Sequence, residues 1–239
     1  MIMQFDVIFE PAILKLFWQG ILVSLQLLCI SVSIGGLISI PMAIMRVSSN
    51  RWISTPVWLY TYVMRGTPML IQVYLIYYGV AQLDIVQNNW DTVALFKPFK
   101  DALFCCVLAF TLNTCAYTTE MLAGAIRDTN HGELEAAKAM GMTPWQAMRR
   151  IILPSALRRT LPAYSNEVIM MLHGTSLAST VPALMDITNA ARSVYSDYYL
   201  PFEAFITAGV IYLTLTFTLV GLFKLAEHRW LAYLQPRKA

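Results

Sequence analysis

The sequence predicts an all-α integral membrane protein of about five transmembrane helices, and three observations carry that prediction. Of its 239 residues, 57% are hydrophobic and only 13% charged, about half the charge that a water-facing surface uses. Mean hydropathy is +0.56. Apolar runs close to the roughly 20 residues that cross a hydrocarbon core recur along the chain. The net charge of +3 gives no reason to invoke nucleic acid.

The first span is expected over 17–45, from FWQGILVSLQLL to IPMAIMR. Its apolar run is too long for a signal-peptide core, so it reads as an uncleaved span. A shorter amphipathic piece, TPVWLYTYVMR, begins at Thr55 and leads to a second span over 68–83. The third runs over 102–126, the fourth over 163–185 and the fifth over 204–224. Thr55-Pro56, Thr67-Pro68 and Thr143-Pro144 each read as a helix start. Thr can accept from an orphan N–H of the first turn, and Pro fits the first helical position because its missing donor would have had no partner. Cys29, Cys105, Cys106 and Cys115 lie in apolar stretches without zinc or redox spacing, and read as small buried hydrophobes. No repeat or separate soluble domain emerges, so residues 1–239 form one membrane unit.

Five spans put the termini on opposite sides, and Lys/Arg bias sets which is which. With the N-terminus outside, the inside holds Arg46, Arg51, Arg127, Lys138, Arg149, Arg150, Arg158, Arg159, Lys224, Arg229, Arg237 and Lys238. The outside holds only Lys15, Lys97, Lys100 and Arg192, with Arg65 at a boundary. The expected topology is therefore N-terminus out, C-terminus in, with the stretch 127–160 in the cytoplasm.

That stretch contains EAAKAMGMTPWQAMRRIILP, charged and helical in pattern. Asn130 and Glu133 form an N-x-x-E start, and Gly141 stands where a left-handed residue would end the first helix. Thr143-Pro144 opens a second helix, along which Trp145, Met148 and Ile152 make one apolar stripe. Pro154 is expected to end it. An amphipathic pair of this kind can rest on anionic headgroups or present a knob to a cytoplasmic partner. The residue pattern leaves both open.

The stretch resembles the cytoplasmic loop of permease subunits of ABC importers: EAA, three residues, G, nine residues, I-x-LP. Here it is Glu135-Ala136-Ala137, Gly141, Ile151 and Leu153-Pro154. RGTPMLIQ at 65–72 looks like the RGTP motif of the polar amino-acid subfamily. LNTCAYTTE and LPAYSNEVI are most similar to permeases for histidine, lysine, arginine and ornithine and to their octopine and nopaline relatives. The resemblance implies a type I importer permease fold whose cytoplasmic helix pair couples to an ATPase. It also implies a homologous second permease subunit, two ATPase subunits that hold ATP and magnesium, and a periplasmic substrate-binding protein. This chain has no GxxxxGK[ST] phosphate loop, and no cofactor or metal is expected on it.

Polar groups within spans are functional candidates, because burying them in hydrocarbon is costly. On the third span Asn113, Tyr117 and Glu120 fall at i, i+4 and i+7, on one helical face. Asn166 and Glu167 lie near the start of the fourth span, with His173, Thr175 and Ser176 further along and Arg65 before the second. Either glutamate could pair with a cationic amino-acid side chain. Either could instead pair with Arg127, Arg158 or Arg159, or reach water, while Arg65 and His173 could be packing anchors. Neither HExxH nor a nucleophile elbow occurs, so catalysis finds no support. The rival to an ATP-driven permease is an ion-gradient-driven secondary carrier, which the small number of spans and the missing inverted repeat disfavour.

Overall fold

A computed structural model describes residues 4–182 and 184–230, and among these there is no strand. The helices are α1 (Pro11–Arg46), α2 (Arg51–Gly66), α3 (Met69–Tyr74), α4 (Asp84–Gln87) and α5 (Ala102–Arg127). They continue as α6 (His131–Ala139), α7 (Pro144–Ala147), α8 (Leu153–Gly174), α9 (Ile187–Tyr198) and α10 (Pro201–Trp230). By length and composition α1, α5 and α10 are apolar enough to cross a membrane. α1 has 36 residues, about 54 Å at 1.5 Å per residue.

α1 is apolar almost all round, and small residues decide which side is buried. Gly20, Ser24, Ser31, Gly35, Ser39 and Ala43 are all buried and recur at helical spacing along one stripe. Small residues let two backbones approach closely, which is how helices associate where lipid removes the hydrophobic drive between them. α5 answers with Ala109, Ala116, Thr119 and Ala123, each 0% exposed. At the centre the fit leaves no room: a Cβ on Gly35 would collide with Thr114 Cγ2 and sit 3.0 Å from the Thr111 carbonyl oxygen. The largest core cluster grows from this seam, joining Leu27 and Leu28 to Ala109, Phe110, Val168 and Leu172. A second joins α1 to α9 and α10, and a third packs Ala43, Leu122 and Ile126 against Ala137, Ala147 and Ile152. α10 buries only Glu203, Ala204 and Ala208, so its apolar flank is turned outward.

Several boundaries differ from the sequence reading, each for a local reason. α2 starts at Arg51, not at Thr55, because the Asn50 side chain accepts from Trp52 N–H at 3.0 Å and caps it a turn earlier. Pro68 is the N-cap of α3, not its first helical residue, and Thr67 caps the end of α2. The apolar run expected over 68–83 is broken into α3, a π turn at Leu75–Gly79 and a 3₁₀ turn at Val80–Gln82. The fourth helix, expected over 163–185, is α8, after which Thr175–Thr180 tightens to 3₁₀. Pro154 does not end a helix. α7 runs through a π turn at Met148–Ile152 straight into α8, with Pro154 in the first turn of α8. Leu153 N–H bonds back to the Met148 carbonyl, and this wide turn gives the proline ring room beside the carbonyl four residues before it. Cys29 is exposed on α1 and not buried, whereas the other three cysteines are buried. Arg237 and Lys238, counted in the topology, lie outside the described residues.

The α1–α5 seam gives a direct prediction. Gly35→Ala should cost about 1–3 kcal/mol by overpacking, read as a lower thermal unfolding midpoint of the detergent-solubilised protein. An unchanged midpoint would mean that the seam is not close-packed at this point.

Candidate functional site

Where α2 ends at Gly66 and α3 begins at Met69, Thr67-Pro68 forms an extended break between two helices. Together with α5 and α8 it bounds a cavity of about 840 Å³. The last turn of α2 contributes Arg65, α5 contributes Asn113 and Tyr117, α8 contributes Asn166, Glu167 and His173, and Ser176 follows on the 3₁₀ turn. Seven of the nine residues singled out as path candidates thus meet at one place. Discontinuous helices around a cavity are one of the few ways irregular backbone is tolerated at membrane depth.

The break is held by Gln72, a residue of RGTPMLIQ that is not among the expected path residues. Its Nε2 donates to the Met64 carbonyl (2.7 Å), the Thr67 carbonyl (3.1 Å) and Thr67 Oγ1 (2.8 Å). Its Oε1 accepts from Asn113 Nδ2 at 3.0 Å, which ties the turn to α5. A lone amide in an apolar helix was the available signal. Arg65 then extends over the Tyr117 ring, 5.4 Å from its centroid, while Tyr117 O–H donates to the Arg65 carbonyl at 3.4 Å. Arg65 is also close enough to Glu167 for their charges to interact. The cavity therefore presents one guanidinium, one carboxylate and several amides and hydroxyls to a small polar guest. His173 keeps an internal partner, Thr216 Oγ1 at 3.0 Å.

Two candidates do not reach the cavity. Thr175 is fully buried and donates to the Leu172 carbonyl. Glu120 shares an angular face with Asn113 and Tyr117 but lies further toward α6, where α1 and α2 cover that face. There it accepts from Arg46 Nε and from Thr61 Oγ1 (2.7 Å), so one carboxylate ties α1, α2 and α5 together. The ion pair is thus with Arg46, which was not among the expected partners; Arg127 reaches the same carboxylate only through its charge, and Arg159 is bonded to Ser155, Ala125 and Thr129.

At the α6 end, Asn130 caps α6 through Gly132 N–H (2.9 Å), but Glu133 does not complete the box, and its Oε2 has no hydrogen-bond partner. Gly141 has φ +70° with open space around it, the left-handed residue that lets α6 stop. Thr143 and Gln146 form a full capping box on α7. The apolar stripe divides: Ile152 packs inward with Ala137 and Ala147, Met148 lies partly buried against them, and Trp145 (61% exposed) faces out with Met140 (74% exposed), beside exposed Glu135 and Ala136. Ile151 and Leu153 are half-buried against the same core, and Pro154 is half-buried.

An all-helical membrane unit with a polar cavity inside and an apolar knob at one end defines a transport component. Residues 35–231 match the family described as the inner membrane component of binding-protein-dependent transport systems, and the chain belongs to that family. It is 51% identical over 221 residues to the histidine/lysine/arginine/ornithine transport system permease protein HisM of Escherichia coli strain K12, covering 92% of this chain and 90% of that one. It is 45% identical over 204 residues to the nopaline transport system permease protein NocM of Agrobacterium fabrum, covering 85% and 83%. A solved structure of an amino acid ABC transporter with histidines matches with TM-score 0.80 and 32% identity, over 96% of this chain and 100% of that one. The MetNI methionine ABC transporter shares the fold, with TM-score 0.74 at 18% identity over 95% and 100%. The expected all-α permease fold is thus the one observed.

The Glu120 site predicts a structural defect. Glu120→Gln should lower stability by about 2 kcal/mol, because the partly buried Arg46 loses its counter-charge. Thermal unfolding of the purified variant measures this, and an unshifted midpoint would show that the clamp carries no weight.

Proposed function

We propose that the chain forms half of the translocation path of an ATP-driven importer for basic amino acids or opines, with the cavity at Arg65 and Glu167 as its substrate station. The observation that carries this reading is the pairing of one cation and one carboxylate in the same cavity. An amino acid with a cationic side chain offers the complement of both: its α-carboxylate to Arg65 and its side-chain cation to Glu167. The names of the relatives support the same substrate class.

In this reading the N-terminus is periplasmic, the C-terminus cytoplasmic, and Met140, Gly141 and Trp145 dock on an ATPase subunit that holds ATP and magnesium. A homologous second permease completes the path, and a periplasmic binding protein delivers the substrate. Alternating access follows because α7 and α8 are one nearly continuous rod from the docking knob to the cavity wall. The rival is a carrier driven by an ion gradient. Uptake into ATP-free vesicles under an imposed ion gradient alone would decide for it.

Two variants test the assignment. Glu167→Gln should reduce uptake of labelled arginine about tenfold while uptake of a neutral amino acid falls much less. Glu120→Gln should affect both equally, and equal loss for both substrates in the Glu167 variant would remove that residue from the substrate station. Gly141→Asp should abolish co-purification of the ATPase, because the left-handed turn that shapes the knob favours glycine. Retained co-purification would locate the docking surface elsewhere.

A further inference from the structure

The two walls of the cavity are carried by different helices, α5 and α8, and the docking knob α6–α7 lies between them in the chain. A push on the knob must move both walls in step if the cavity is to open on one side only. Helix α5 is connected to the knob by three residues, Asp128, Thr129 and Asn130. The covalent chain takes that turn to α8 only by way of α6 and α7. Arg159 joins the two directly, beside the packing of Ala156 with Leu122 and Ile126.

Arg159 lies on the second turn of α8 and is half-buried. Its Nη1 donates to Ser155 Oγ at 2.9 Å, which fixes the side chain along its own helix. Its Nη2 donates to the Ala125 carbonyl at 2.8 Å and to Thr129 Oγ1 at 3.3 Å. Ala125 is in the last turn of α5, where carbonyls have no partner within the helix. The neighbouring carbonyls are served by the backbone, Gly124 by Asp128 N–H and Ile126 by Thr129 N–H. The Ala125 carbonyl is served by the guanidinium, whose charge also suits a helix C-terminus. Thr129 is itself 5% exposed and donates to the Ile126 carbonyl at 2.8 Å, so its remaining lone pair is aimed at Arg159. The next residue, Asn130, caps α6. One planar fork therefore spans α8, the end of α5 and the turn into α6.

We infer that Arg159 is a positioning residue for coupling: it makes the α5 end, the α5–α6 turn and α8 move as one body, so that motion of the docked knob reaches both cavity walls together. It touches neither the cavity nor the exposed face of the knob. Its loss should therefore leave ATPase docking intact and break the stoichiometry between ATP use and transport. A lysine cannot replace it fully, because one ammonium lacks the planar fork that serves Ser155 and the α5 end at once. The inference rests on the docking role of α6–α7 proposed above.

The test uses the complete transporter, with its ATPase and binding protein, in proteoliposomes, and measures ATPase co-purification, ATP hydrolysis and labelled arginine moved per ATP. Arg159→Gln should retain co-purification and hydrolysis while arginine moved per ATP falls about tenfold. Arg159→Lys should be intermediate, and Thr129→Val, which removes one acceptor and keeps the shape, should shift the same ratio by about twofold. A ratio unchanged in all three variants would overturn the inference. So would a loss of hydrolysis and transport in equal proportion, which is what a merely structural role produces. Failure of the docking reading would be recognised separately, as Gly141→Asp leaving co-purification unchanged.

Discussion

Close approach of α1 and α5 is the constraint on which the rest of the molecule depends. Lipid supplies no hydrophobic drive between helices, so the seam is held by contact area, and contact area requires small residues. Gly35 against Thr114, with Ala109, Ala116 and Ala123 on the facing helix, brings two backbones together along most of a span. Once α5 is fixed in this way, its other faces become platforms. One receives α8, and another receives the α2–α3 break through Asn113 and Gln72. The cavity exists because α5 holds both partners at a set distance while neither fills the space between them.

The polar groups divide the work by depth. Gln72 spends both ends of its amide on backbone and on Asn113, which leaves Arg65 and Glu167 as the charged groups facing the cavity. Glu120, one turn nearer the knob than Tyr117, is consumed by Arg46 and Thr61. A carboxylate with two internal partners has little capacity left for a guest, whereas Glu167 lies beside an open volume. The same residue type therefore meets two environments, set by what the adjoining helices bring to it.

Much of this was legible in the sequence. α1, α5 and α10 were readable because long apolar runs have few alternatives to spanning. The knob was readable because Gly141 and Thr143-Pro144 act locally, through backbone conformation and capping. At Pro56 and Pro154 the expected boundary fails for one reason: a local device before the proline, the Asn50 cap or a π turn, starts the helix earlier or carries it through. Pro56 lies inside α2, and Pro154 sits in the first turn of α8, after a π turn. The partner of Glu120 could not be read, since Arg46 lies 74 residues away in the chain and only the α1–α5 seam brings them together. Gln72 was within reach as an isolated amide among apolar neighbours, but its partners again depended on tertiary placement.

The continuity of α7 with α8 has a mechanical consequence. From Pro144 to Arg159 the rod measures about 22 Å, and from Arg159 to Glu167 about 12 Å. On the coupling inferred above, Arg159 ties this rod to the end of α5 between those two points, so a displacement at the α6–α7 end carries Glu167 and the α5 wall of the cavity in the same direction. The cavity is then re-aimed as a whole more than it is squeezed.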